Sequence, residues 1–194
     1  MKPSALLAAY LLTAVALIAI GWYWSNSLGQ KPLGRVDFTC KNAMCGFGAG
    51  AAFLIVNIKL YQVCQRRQWF AATESFFQQV LFPLLLQLDV PSIFVLSLAA
   101  GISEEFLFRG PMQSDWGIVP AALVFGGLHT YSVRLWPYGV WAVGAGIFFG
   151  ALMRASDALT VPMVAHFVYD LGVLLLLKSR HIPHEQAKID EHPY

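Results

Sequence analysis

Apolar residues in this chain come in long, nearly unbroken runs separated by short polar stretches. Runs of that length, without a period of 2 or 3.6, predict helices buried on every side, as in a bilayer. The first covers residues 5–24 without a single charge, and the second covers 43–63 with glycines at its start. Four more follow at 92–110, 119–130, 139–153 and 161–177, bounded by Gly110-Pro111, Pro120, Pro137 and Pro162. Proline in a helix's first turn loses no hydrogen bond, so these prolines read as helix starts. Segment 75–88 is apolar but interrupted by Gln78, Gln79, Pro83 and Gln87. At about 14 residues it is short for a perpendicular crossing, so its depth stays open.

The pattern predicts an all-α fold: a polytopic transmembrane helical bundle of six spans, or seven if the short piece crosses. Nothing alternates with period two as a membrane β-barrel would, and a helical bundle then satisfies every backbone group inside lipid. Residues 1–194 read as one integral membrane domain, with core helices over 92–177 and a polar, flexible tail over 178–194. The first run ends in Trp22-Tyr23-Trp24, an aromatic belt of the membrane interface. No small-x-small cleavage site follows it, so it reads as a retained anchor and not a signal peptide. Six spans put Lys2, Arg66, Arg67, Arg134, Lys178, Arg180 and Lys188 on one side, which the positive-inside rule makes cytoplasmic. Lys31, Arg35 and Lys41 fall opposite and narrow the margin.

Composition agrees with the pattern. The chain is 57% hydrophobic and 12% charged, where a soluble domain carries about 25% charged residues. A net charge of +2, with no basic stripe, gives no sign of a nucleic-acid partner. Cys40, Cys45 and Cys64 lack the spacing of a zinc site, and a Cys40–Cys45 disulfide would require an oxidising compartment.

Ionisable groups inside apolar spans are costly and mark function by default. Four sets qualify: Glu104, Glu105 and Arg109 in one span, His129 in the next, His166 with Asp170 in the last, and Asp89 beside Pro91. Glu105 and Arg109 are spaced i, i+4 and share a helix face, as do His166 and Asp170. Glu104 is turned about 100° from Glu105, so one glutamate can hold the arginine while the other stays free. At about 1.5 Å per residue, Glu104 lies about 9 Å from Gly110, His166 about 7 Å from Val161 and His129 about 15 Å from Val119. Alternating spans put these three ends on one membrane face, so the side chains can meet in one cavity. A lone membrane histidine is more often an interhelical hydrogen-bonding group, and Glu105–Arg109 alone could be a structural pair. An acid pair and two histidines on three spans are harder to assign to packing, since such contacts add little stability. Desolvation and a neighbouring arginine act on a carboxylate in opposite senses, and the balance can leave a base able to activate water. Imidazoles can position that water and stabilise an oxyanion. These roles together suggest amide hydrolysis.

The blocks E-E-x-x-x-R (Glu104, Glu105, Arg109), F-x-x-x-H (Phe125, His129) and H-x-x-x-D (His166, Asp170) resemble the signature of the CAAX protease and bacteriocin-processing family. The resemblance runs over residues 92–177 and implies a glutamate-dependent intramembrane endopeptidase. It implies that Glu104 activates water, His129 positions it, His166 and Asp170 stabilise the oxyanion, and Glu105 with Arg109 supports the site. It implies no cofactor and no metal, a membrane-associated protein or peptide substrate, and residence in a bacterial cytoplasmic (inner) membrane. Eukaryotic members carry Asn at the last position. An ionised aspartate there would repel an oxyanion, so Asp170 either carries a proton or orients His166. Two other classes remain: a zinc protease using His129, His166 and a carboxylate, although no H-E-x-x-H is present, and a non-catalytic membrane module such as an immunity factor or scaffold. Proton-coupled transport would use the same groups, but no inverted repeat is visible.

Overall fold

The computed structural model describes the backbone of residues 3–190 and the side chains of residues 4–179. Among them it is all helical: α1 Pro3–Ser27, α2 Cys40–Cys64, α3 Ala71–Phe76, α4 Phe82–Leu86, α5 Val90–Leu107, α6 Gln113–Trp116, α7 Ile118–Leu128, α8 Trp136–Ser156 and α9 Thr160–Asp190. Five stretches are long and apolar enough to cross a membrane: Ser4–Ser27, Cys40–Cys64, Val90–Trp116, Val133–Ser156 and Thr160–Ser179. Their outer faces carry Leu12, Val15, Ile55, Val56, Val140 and Ile147 exposed, which lipid can cover but water would not tolerate so densely. The run at 119–130 forms the shorter α7, about 16 Å long, between the Gly117 turn and the C-cap residue His129.

One proline behaves differently from expectation. Gly110-Pro111 does not end a helix: α5 continues through a π turn, Phe108–Met112, into α6. Gly110 leaves helical geometry, with ψ at −109°, because the residue before proline is driven out of the α region. The break comes at Gly117, whose φ of +88° suits glycine. Pro83 likewise sits just after a π turn, Phe77–Leu81, between α3 and α4, where an extra residue relieves the ring's clash with the preceding turn. Residues 75–88, whose depth was open, thus belong to two short helices joined by that turn.

Helix α9 is central, packed against α2, α5 and α8. Small residues permit the approach. A Cβ on Gly46 would fall 2.7 Å from Val161 O, and one on Gly101 would fall 2.7 Å from Met163 O; close backbone contact of this kind stabilises helix pairs where lipid gives no hydrophobic drive. The second contact sets α5 against α9 one turn before Glu105. The helical backbone of α9 runs through most of the segment expected as a tail; residues 191–194 and the side chains from 180 onward lie outside the described residues. Cys40, Cys45 and Cys64 are free thiols. Cys40 and Cys45 are five apart on α2 and so face different directions.

Candidate active site

Glu105 is fully buried. Its Oε2 accepts from Arg109 Nε at 2.9 Å, and its Oε1 lies 2.8 Å from His166 Nδ1. The first contact is the i, i+4 pair expected within α5. The second crosses to α9 and was not legible from spacing. Since a carboxylate oxygen accepts, Nδ1 of His166 carries the proton. The imidazole is also stacked on Phe149, with ring centroids 4.8 Å apart and planes 12° apart. His166 is therefore fixed by Glu105 and Phe149, while Asp170 Oδ2 stands 3.5 Å from its Nε2, too long for a strong hydrogen bond.

Glu104 has a different environment. It is half-buried, and Oε1 accepts from Tyr10 OH at 3.1 Å. It lies close enough to His166, His129, Asp170 and Glu105 to interact electrostatically with each. Because the helix continues to Trp116, Glu104 sits about 18 Å from that end, near the middle of the span. His129, at the C-cap of α7, sets Nδ1 2.8 Å from Phe125 O. A carbonyl only accepts, so Nδ1 carries a proton, and Nε2 is the nitrogen left toward the cavity.

These groups line one cavity of about 430 Å³, which includes Tyr10, Glu104, His129, His166 and Asp170. Its remaining wall is largely aromatic and aliphatic and runs toward Leu81, Phe82, Leu174 and Leu177. Of the residues singled out in the sequence, Glu104, His129, His166 and Asp170 meet at this cavity, with Glu105 and Arg109 packed behind it. Asp89 does not join them. It caps α5, accepting from Ser92 N at 2.9 Å, and these bonds to Ser92 hold its carboxyl below the usual range. Tyr10 was missed. Its signal was a lone tyrosine deep in an uncharged run, far from the interfacial belt where tyrosine is ordinarily found.

Among the described residues no three His, Cys, Asp or Glu side chains form a group that could hold a metal ion. Both nitrogens of His166 face carboxylates, and one of His129 is committed to a backbone carbonyl.

Residues 85–172 match the model of the family described as type II CAAX prenyl endopeptidase Rce1-like. The protein YpbD of Bacillus subtilis (strain 168), described as uncharacterized, is 31% identical over 104 residues, 54% of this chain and 54% of its own length. The chain thus spans about half the length of the curated relative it matches. No solved structure matches. The family match covers every residue of the three blocks, from Glu104 to Asp170, two of them on helices long enough to cross a membrane and one on the shorter α7. Over residues 85–172 this integral membrane protein is thus similar to the Rce1-like family.

Proposed function

We propose that the protein is an intramembrane endopeptidase that hydrolyses a peptide bond in a membrane-associated protein or peptide tail, using water activated by Glu104. The observation that carries this reading is the unequal treatment of two adjacent glutamates. Glu105 has both oxygens engaged, by Arg109 and His166, and no exposure. Glu104 faces the cavity with one donor on it, Tyr10 at 3.1 Å. A structural pair would not need the second carboxylate, and a base must keep an oxygen free for the proton it takes.

The reaction follows from these positions. Water gives a proton to Glu104 as its oxygen bonds to the substrate carbonyl carbon, and the carbonyl oxygen becomes an oxyanion. His129 in its Nδ1–H neutral form accepts a hydrogen bond from the water's other hydrogen at Nε2 and orients the attack. His166, protonated on both nitrogens with Nδ1–H on Glu105, gives its Nε2–H to the oxyanion with Asp170 beside it, a contact that is strong where water is scarce. Glu104 then passes its proton to the amide nitrogen, the C–N bond breaks, and a carboxylic acid and an amine leave. Arg109 and Glu105 act through His166 by holding its ring. The apolar wall leading from the site suits a substrate arriving from the bilayer, and a bacterial cytoplasmic membrane agrees with the B. subtilis relative.

The test compares membrane-associated peptides from cells making wild type, Glu104→Gln, or no protein. Fragments should appear with wild type alone, at comparable protein levels. Equal processing by Glu104→Gln, repeated with purified protein and a peptide found in the cells, would overturn the mechanism.

A further inference from the structure

A second pocket, of about 400 Å³, lies past the C-terminal end of α5, around the turns that join it to α6 and α7. Its lining includes Arg35, Arg109, Gln113, Ile118, Arg154 and Asp157. With Arg109 already paired to Glu105, Arg35 and Arg154 against the single carboxylate of Asp157 leave the pocket with one positive charge in excess. Asp157 is at the rim, with an 85% exposed side chain, and is joined to Arg35 Nε at 3.6 Å. Arg154 has no ion-pair partner among the described residues.

Two further observations point to an anion. Arg109 is fully buried and uses only Nε on Glu105, while its Nη1 and Nη2 have no hydrogen-bond partner. Unsatisfied donors on a buried guanidinium are expensive, and an anion in this pocket would bring them an acceptor. Helix α7 also begins here. Its cap residue Gly117 supplies no side-chain acceptor, so the N–H groups of Ile118 and Val119 start the helix without a side-chain cap at its positive end, and Gly117 and Ile118 line the pocket.

The position narrows the ligand. Trp24 and Trp116, at the same ends of α1 and α6, pack edge to face with centroids 4.9 Å apart, and Trp24 Nε1 donates to Asp115 Oδ2 at 3.2 Å. Paired tryptophans at helix ends mark the level of lipid headgroups. Arginine forks and a helix N-terminus are the groups that take phosphate. We infer that this pocket binds a phosphate group, supplied at this depth by an anionic lipid headgroup. Binding does not depend on the proposed proteolysis, so it can be tested separately.

The experiment is native mass spectrometry of the full chain released from an uncharged detergent, titrated with dioleoyl phosphatidic acid or dioleoyl phosphatidylcholine. Wild type should hold one phosphatidic acid at least tenfold more tightly than phosphatidylcholine. Arg154→Gln should lose most of that preference, and adding Arg35→Gln should abolish it. Arg66→Gln, an equal charge change at an exposed position on the other side, should keep it. Arg154 has no ion pair to break, so the single variant remains informative if the double one unfolds. Inorganic phosphate at millimolar concentration separates the sources: displacement of the lipid identifies a free phosphate-type anion, and resistance identifies the headgroup. No preference in wild type, full retention in Arg154→Gln, or equal loss in Arg66→Gln would overturn the site.

Discussion

Replacing each glutamate of the pair by glutamine should have opposite consequences, although the two are adjacent. Glu105→Gln removes the charge between Arg109 Nε at 2.9 Å and His166 Nδ1 at 2.8 Å, at a position with no solvent exposure. Removing one partner of a buried ion pair costs about 3–5 kcal/mol, because the other charge stays behind. The amide oxygen can still accept one of the two bonds, which sets the expectation near the lower end, about 3 kcal/mol. Glu104→Gln removes a charge from a half-buried site and keeps an acceptor for Tyr10, so stability should stay within about 1 kcal/mol of wild type. Cleavage by Glu104→Gln should fall by more than about a hundredfold, since an amide takes no proton from water. The assay is unfolding of the purified full chain in mixed micelles of rising dodecyl sulfate content, followed by tryptophan fluorescence. Combining Glu105→Gln with Arg109→Gln should recover part of the loss, as the orphaned charge is gone. If Glu105→Gln is as stable as wild type, or the two single variants lose equal stability, the division of labour between them is wrong.

Tyr10→Phe should fold normally and lower kcat about tenfold with little change in KM, the effect of one longish hydrogen bond to a carboxylate; an unchanged kcat would remove Tyr10 from the site. Asp170→Asn should keep activity within about tenfold while Asp170→Ala loses more than about a hundredfold, since Glu105 and Phe149 already fix His166; collapse of the Asn variant would make Asp170 the residue that orients the ring. Exhaustive chelation of purified active protein should leave peptide cleavage intact, and activity restored only by added zinc would favour a metalloprotease. Asp89 is held below the ordinary carboxylate range by its bonds to Ser92. Its cap therefore contributes fully above the unfolded value of about 4 and is lost as pH falls through the lower folded one. Asp89→Asn, which caps as well without titrating, should show a flatter stability profile between pH 5 and pH 3.

The helical membrane bundle was legible because long apolar runs have few other solutions, and their polar gaps fix the number of elements. The intrahelical pair Glu105–Arg109 was legible because α-helix geometry alone determines i, i+4 neighbours. Gly110-Pro111 was misread for the opposite reason. A proline there allows either a new helix or a π turn within an old one, and surrounding packing decides which. Contacts between helices were also out of reach. His166 meets Glu105 because glycines at 46 and 101 bring α9 close to its neighbours, a distance that spacing along one helix does not encode.

The doublet has a consequence that a single glutamate would not. Neighbours on a helix point about 100° apart, so when Glu105 turns toward α9 and Arg109, Glu104 must turn elsewhere, here to the cavity and Tyr10. The same backbone that buries one carboxylate thus presents the other, and no separate element is needed to aim the base. The arrangement depends on the register holding through residue 109, and the helix leaves regular geometry only after it, at Gly110. One extra residue between Glu105 and Arg109 would turn the arginine about 100° away, leaving two buried charges unpaired and His166 without its anchor. The pair and the kink therefore constrain each other: regular helix up to Arg109 sets the charges, and irregular helix beyond it lets the chain continue through Pro111 to the interfacial tryptophans.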